Sequence, residues 1–253
     1  MAGISQEENL RAKLNLFAIL PLLEILAELD PKAKKWAGRI KSPIVIKIAD
    51  IPEMTVCISG NSTGLKVERK SDSDGVIAEF PSPQSLNAFF EGEKALPKVR
   101  GLFKQPISVI SFGFLIKRMA EIMTNKDESS ELRANLIINA IAGFFEVLGN
   151  SDPSFASVLD KKNAMIAWEI KPAGPAAGVA IENGEWRYYR GRAANYTVAI
   201  EFSGIEAFMD LIEGRDTARM AFFMGNIKPC GDAMLAMKVG FLMEEAQKYF
   251  NPL

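Results

Sequence analysis

Two cysteines, Cys57 and Cys230, and a complete absence of histidine bound the chemistry open to this chain. Without imidazole there is no Ser-His-Asp or Cys-His machinery and no histidine metal site. The cysteines lie 173 positions apart, so they form neither a CxxC motif nor a structural zinc site. They suggest no disulfide framework, and a reducing cytoplasm is the expected setting. Cys230 stands just before a predicted helix N-terminus, where the dipole lowers a thiol pKa, but no histidine is available as its base. Asp127-Glu128 and Glu244-Glu245 read as solvated helix ends rather than a general acid/base pair. Trp186-Arg187-Tyr188-Tyr189-Arg190-Gly191-Arg192 interleaves aromatic and basic residues as single-stranded nucleic-acid binders do. A strand with exposed arginines opposite packed aromatics gives the same pattern. No glycine-rich phosphate loop, Walker A motif or paired-carboxylate metal motif is present. The expectation is a protein that is not an enzyme and has no metal or cofactor.

The elements that position these residues come from a chain of 253 residues, 48% hydrophobic and 24% charged, with a formal net charge of −1. Apolar content this high supports a folded core, and near-neutrality argues against a nucleic-acid partner. The first eight residues lack the basic region of a secretory signal. The longest candidate membrane span, Leu14 to Leu29, is interrupted by Pro21, Glu24 and Glu28.

The chain repeats itself. Shifted by 122 positions, residues 9–31 lie over residues 131–153 with ten of 23 pairs identical. Among the pairs are Arg11/Arg133, Glu24/Glu146, Asp30/Asp152 and Pro31/Pro153. Unrelated segments should match at roughly 6–8% of positions. The same shift brings Ile44 and Ile48 over Ile166 and Ile170, Glu79-Phe80 over Glu201-Phe202, and Glu91-Gly92 over Glu213-Gly214. Two homologous halves, 1–126 and 127–253, are therefore expected, joined through the polar run 124–130. The first holds 18 basic and 14 acidic residues, a balance of +4; the second holds 12 and 17, a balance of −5.

Each half follows one plan. A helix over 6–29, started by Ser5 and Glu8, is interrupted at Pro21, and Gly143 at the matching position predicts a shared break. Short strands follow, clearest in the second half: Ile166-Trp168-Ile170, 178–183, 186–190 and Tyr196-Val198-Ile200-Phe202, with Asn183-Gly184 as a hairpin turn. A helix beginning near Ser203, with Glu206 three residues on, stops at Gly214. Strands grouped ahead of helices predict α+β architecture.

Residues 213–240 read EGRDTARMAFFMGNIKPCGDAMLAMKVG. Gly225, Ile227, Lys228, Gly231, Asp232, Leu235, Ala236 and Lys238 closely resemble the C-terminal run of the type 2 sterol carrier protein family. The resemblance covers most of 127–253. The first half departs at its end, where Phe103-Lys104-Gln105-Pro106 stands in place of Gly-x-x-Lys and no Gly-Asp precedes the helix; it reads as a diverged copy. Independently of the family, Gly231 allows a tight strand-to-helix turn and Asp232 caps the next helix. That helix, expected over 232–250, carries two apolar stripes, Leu235-Val239-Leu242-Ala246 and Met234-Met237-Phe241. Covering a sheet needs only one.

The resemblance implies two tandem α+β domains, each a mainly antiparallel sheet of about five strands covered by helices. It further implies binding, and transfer, of an apolar ligand such as a fatty acid, acyl-CoA, isoprenoid or quinone, held in a cavity between sheet and helices. In this sequence Trp168, Phe202, Phe208, Leu211, Phe222, Met224, Met234, Met237 and Phe241 are the expected lining, with Lys228 or Arg190 meeting an anionic head. The same side chains would also serve as ordinary core, and the alternative is a scaffold or accessory subunit of a lipid-metabolic enzyme with no open cavity. The expected partners are the apolar ligand, a membrane touched transiently, and a partner enzyme or a second copy of the chain.

Overall fold

The computed structural model describes residues 5–60, 64–70, 75–125 and 130–249; Asp127-Glu128 and most of the joining run lie outside them. The chain divides between Asn125 and Lys126 into two compact units.

In the first unit, α1 (Gln6–Leu14) opens on Ser5, whose hydroxyl accepts the Glu8 N–H. The helix then widens into a π turn over Asn15–Ile19 and resumes as α2 (Leu22–Leu29). Pro21 has no N–H to give. In the second unit α6 (Ser130–Ser151) runs through Gly143 without a break, because glycine weakens a helix but still donates its hydrogen bond. The expected shared kink is confined to the first unit. Asp30 caps α3 (Pro31–Ala37) by accepting the Ala33 N–H, and Asp152 caps α7 (Pro153–Leu159) through Ser154 and Phe155, so this identical pair holds one structural role in both copies.

The first sheet comprises β1 (Ile44–Ile48), β2 (Ile51–Gly60), β3 (Leu65–Glu68), β4 (Val76–Phe80) and β5 (Lys98–Arg100). The second comprises β6 (Ala164–Ile170), β7 (Ala176–Glu182), β8 (Glu185–Arg190), β9 (Val198–Phe202) and β10 (Ile227–Gly231). Their orders, β3-β2-β1-β4-β5 and β8-β7-β6-β9-β10, are the same. Three of the four pairings in each sheet are antiparallel; the central one is parallel, so both sheets are mixed. The 122-residue shift holds to the residue in that parallel pair, with Ile44 opposite Val76 and Ile166 opposite Val198. Asn183 and Gly184 both take positive φ in the β7–β8 turn, as a type I′ hairpin requires.

Helices complete each unit: α4 (Pro83–Phe90) and α5 (Pro106–Thr124) in the first, α8 (Ile205–Ile212), α9 (Ala218–Phe223) and α10 (Ala233–Gln247) in the second. The expected start of α8 at Ser203 moves to Gly204, which caps without a side chain. Arg11 bonds Glu91, and at the matching positions Arg133 bonds Glu213, so each unit ties its first helix to the end of the helix after its parallel pair. α6 has the length and apolar content of a membrane span. Most of its apolar side chains are buried, and it packs on β7, β8 and α8; here that composition serves the core. Inside the second unit Phe145 of α6 stacks edge-on against Trp168 at 4.7 Å, and Phe202 against Phe208 at 4.9 Å.

Candidate functional site

Among the described residues β10 is an edge strand, paired with β9. Because side chains alternate across a strand, Ile227 and Pro229, opposite Phe202 and Ile200, share the sheet face that carries the helices. Lys228 and Cys230, opposite Glu201 and Ala199, lie on the other face. α9 leads into one end of β10 and α10 leaves the other, so two helices flank one strand. Pro229, on the floor between them, is exposed.

Both helices turn apolar side chains outward. α9 is capped by Thr217, which accepts the Met220 N–H, and buries only Ala221. Met220, Phe222, Phe223 and Met224 are 52–72% exposed. α10 is capped by Asp232, which accepts the Leu235 N–H. It buries Leu235, Val239 and Leu242 while Met234, Met237 and Phe241 stay 51–64% exposed. At about 200 Å² for each large side chain, the seven expose on the order of 800 Å². A typical monomer's largest apolar patch is a few hundred.

The expected lining residues thus sort into two groups. Trp168, Phe202 and Phe208 are fully buried, the Trp168 indole N–H donating to Met243 Sδ at 3.4 Å. Phe222, Met224, Met234, Met237 and Phe241 gather around β10 and are exposed, and Leu211 on α8 is half-buried. The head-group candidates are not brought together. Lys228 is on the face away from the helices, and Arg190 lies on β8, at the opposite edge of the sheet, about 19 Å away at the usual strand spacing.

The face behind β10 is polar and satisfied. Lys171 Nζ reaches Glu169 at 2.8 Å and Glu201 at 3.0 Å, and these bonds raise its pKa. The Tyr189 hydroxyl donates to the Ile166 carbonyl at 3.1 Å; burial first, then the Glu169 charge, pushes its pKa to about 12. Burial first, then the charge of Glu201, pushes the Cys230 thiol up. Sequence reasoning expected a helix dipole to lower it. Cys230 is instead in β10, one strand position from Glu201, and burial together with the nearby carboxylate prevails. Among the described residues no cluster of potential metal ligands occurs.

The first unit repeats the apolar geometry. β5 is its edge strand, with Lys98 opposite Glu79 as Lys228 is opposite Glu201. Gly101 ends β5 with φ +82°, as Gly231 ends β10 with φ +89°. Motif letters had placed Phe103-Lys104 against Gly-x-x-Lys; strand register identifies Lys98 and Gly101 as the counterparts of Lys228 and Gly231. The glycine survives, and Leu102 stands where Asp232 caps α10. On α5, Ile107, Ile110 and Phe114 repeat the spacing of Met234, Met237 and Phe241 and are 45–64% exposed. Sequence reasoning missed this set because it looked for the motif rather than for i, i+3, i+7 spacing.

Residues 145–244, from the middle of α6 through α10, match the SCP-2 sterol transfer family. The SCP-2-like segment therefore contains the whole second sheet and the apolar surface around β10. Over 124 residues the chain is 26% identical to mouse peroxisomal multifunctional enzyme type 2, covering 48% of this chain but 16% of that protein. It is also similar to two solved structures. Sterol carrier protein 2 from Yarrowia lipolytica, in its apo form, is 21% identical with a TM-score of 0.35, covering 47% of this chain and 96% of that one. Sterol carrier protein domain 2 of Helicoverpa armigera is 22% identical with a TM-score of 0.32, covering 50% and 95%.

Proposed function

We propose that the SCP-2-like unit binds a lipid-like molecule, such as a fatty acid, acyl-CoA, isoprenoid or quinone, on the apolar surface around β10, and passes it on without chemical change. The observation that carries this is the outward-facing stripe Met234-Met237-Phe241 beside Phe222 and Met224, a large apolar area on a unit that otherwise buries its core. Methionine adapts its shape to varied apolar ligands. The raised Cys230 pKa and the lack of histidine support a non-catalytic role, and so few cysteines fit a reducing cytoplasm. Trp168, Phe202 and Phe208 would form the packed base on which the surface rests, and Lys228 or Arg190 would meet a head group only at its margin.

The test is native mass spectrometry after gentle purification, with displacement of a fluorescent fatty acid. If a ligand covers the roughly 130 Å² that Met237 exposes, Met237→Ser weakens binding by about 1–3 kcal/mol, roughly ten- to a hundredfold. Its melting temperature should hold, because the side chain is exposed. A protein that carries no lipid and displaces no probe overturns the reading. One observation favours a scaffold instead, the complete burial of Trp168, Phe202 and Phe208; it would be recognised by co-purification with a partner enzyme and no lipid.

A further inference from the structure

Residues 31–49 and 94–120 each carry six lysines or arginines and no acidic residue. The fold brings these two acid-free segments together, for α3 packs on α5 and Trp36 stacks on Phe114 with ring centroids 5.3 Å apart. At their junction stand the exposed apolar side chains of the first unit: Phe103 at 97%, then Ile107, Ile110 and Phe114 along one face of α5. Lys32 lies four residues before Trp36, on its face of α3, and Arg39 stands in the turn that ends the helix. Lys104 follows Phe103 in the turn that leads into α5. All three are exposed and make no ion pair among the described residues. The second unit does not repeat this, since Asp160, Glu169 and Asp232 interrupt the corresponding segments.

We propose that this face of the first unit docks the protein on an anionic lipid bilayer. Apolar side chains ringed by unpaired cations are what such a surface takes: the aromatic and branched groups enter the headgroup boundary while the cations stay at the phosphates. Charge complementarity selects a membrane over a second copy of the chain, which would set cation against cation. Phe103, Ile107 and Ile110 select a bilayer over nucleic acid, whose phosphates reward charge but not aliphatic groups. The site is independent of whether the second unit holds a ligand.

The test is co-sedimentation of the full chain with phosphatidylcholine vesicles, with and without roughly one-third phosphatidylglycerol. Binding is expected to the anionic vesicles only, and to fall with salt. Each cation near the surface contributes roughly fivefold, so Lys32→Glu with Lys104→Glu should weaken binding at least about tenfold. Phe103→Ser with Ile107→Ser should weaken it without changing the salt dependence. Met237→Ser in the second unit should leave it unchanged, which separates this proposal from the ligand reading. Equal binding to neutral and anionic vesicles would overturn it, as would retention by both double variants. So would tight binding of a random RNA that survives Phe103→Ser with Ile107→Ser.

Discussion

Arg118→Met should unfold the first unit at neutral pH more easily than any other single change at a charged position there, and its effect should depend on pH in a defined sense. Asp30 Oδ2 accepts from Arg118 Nε at 3.2 Å and from Nη2 at 2.9 Å, while Oδ1 accepts from the Ala33 N–H at 2.7 Å. Both side chains are under 10% exposed. Burial raises the Asp30 pKa, but the Ala33 N–H and the Arg118 guanidinium outweigh it, leaving the carboxyl below its ordinary 3.8. Its contribution is therefore present above about pH 4 and is lost as pH falls through the folded value. Removing the arginine leaves burial, the largest single influence, opposed only by the Ala33 and Lys32 N–H groups, so the folded pKa should move above 3.8 and the sign reverse. The variant then loses stability as pH rises through the raised value. An unpaired buried carboxylate costs about 3–5 kcal/mol, which for a unit of this size is roughly 10–20 °C in Tm. Urea unfolding at about pH 4.5 and 7.5 should give a deficit clearly larger at the higher pH. Asp30→Asn in the variant keeps an acceptor for Ala33 and should restore much of the loss at the higher pH. Equal deficits at both pH values, or no gain from the second substitution, would refute the reasoning.

Two further outcomes are expected. Gly231 has φ +89°, and a Cβ there would sit 2.3 Å from the Thr197 carbonyl oxygen, whereas Gly225, with φ +74°, has open space. Gly231→Ala should therefore lose at least about 2 kcal/mol more than Gly225→Ala in calorimetric unfolding; similar losses would mean that the turn yields. Tyr189, with a pKa near 12 against an ordinary 10, contributes stability that is complete below pH 10 and lost as pH climbs towards 12. Ultraviolet titration of wild type and Tyr189→Phe should differ by one late-ionising phenol, and the variant should show a shallower alkaline loss of stability.

Much of the fold was legible in the chain because repetition exposes what a single copy conceals. Arg11 and Arg133, matched only as letters at first, ion-pair with Glu91 and Glu213, themselves a matched pair. Asp30 and Asp152 prove to be helix caps. The parallel pairing kept the 122-residue shift to the residue. What was not legible begins after Gly92 and Gly214. There α9 adds eight residues to the second copy, so that Lys98 and Gly101 correspond to Lys228 and Gly231 at an offset of 130. No local letter marks that change; the pairing of Lys98 with Glu79 and of Lys228 with Glu201 does. The apolar surface was half-legible. Two stripes on the last helix are readable from spacing, but which of Trp168 and Met237 would be buried depends on the whole sheet and its covering helices.

The edge position of β5 and β10 bears on solubility. An unpaired strand beside a wide apolar surface is a template on which other chains can add and aggregate. The two copies blunt it differently. β10 places Pro229 at its middle, a residue with no N–H to offer an incoming strand. β5 is three residues long and sets Lys98 and Arg100 on either side of Val99, so that an incoming copy meets like charge. Two units of one topology thus share the same hazard and carry separate safeguards against it.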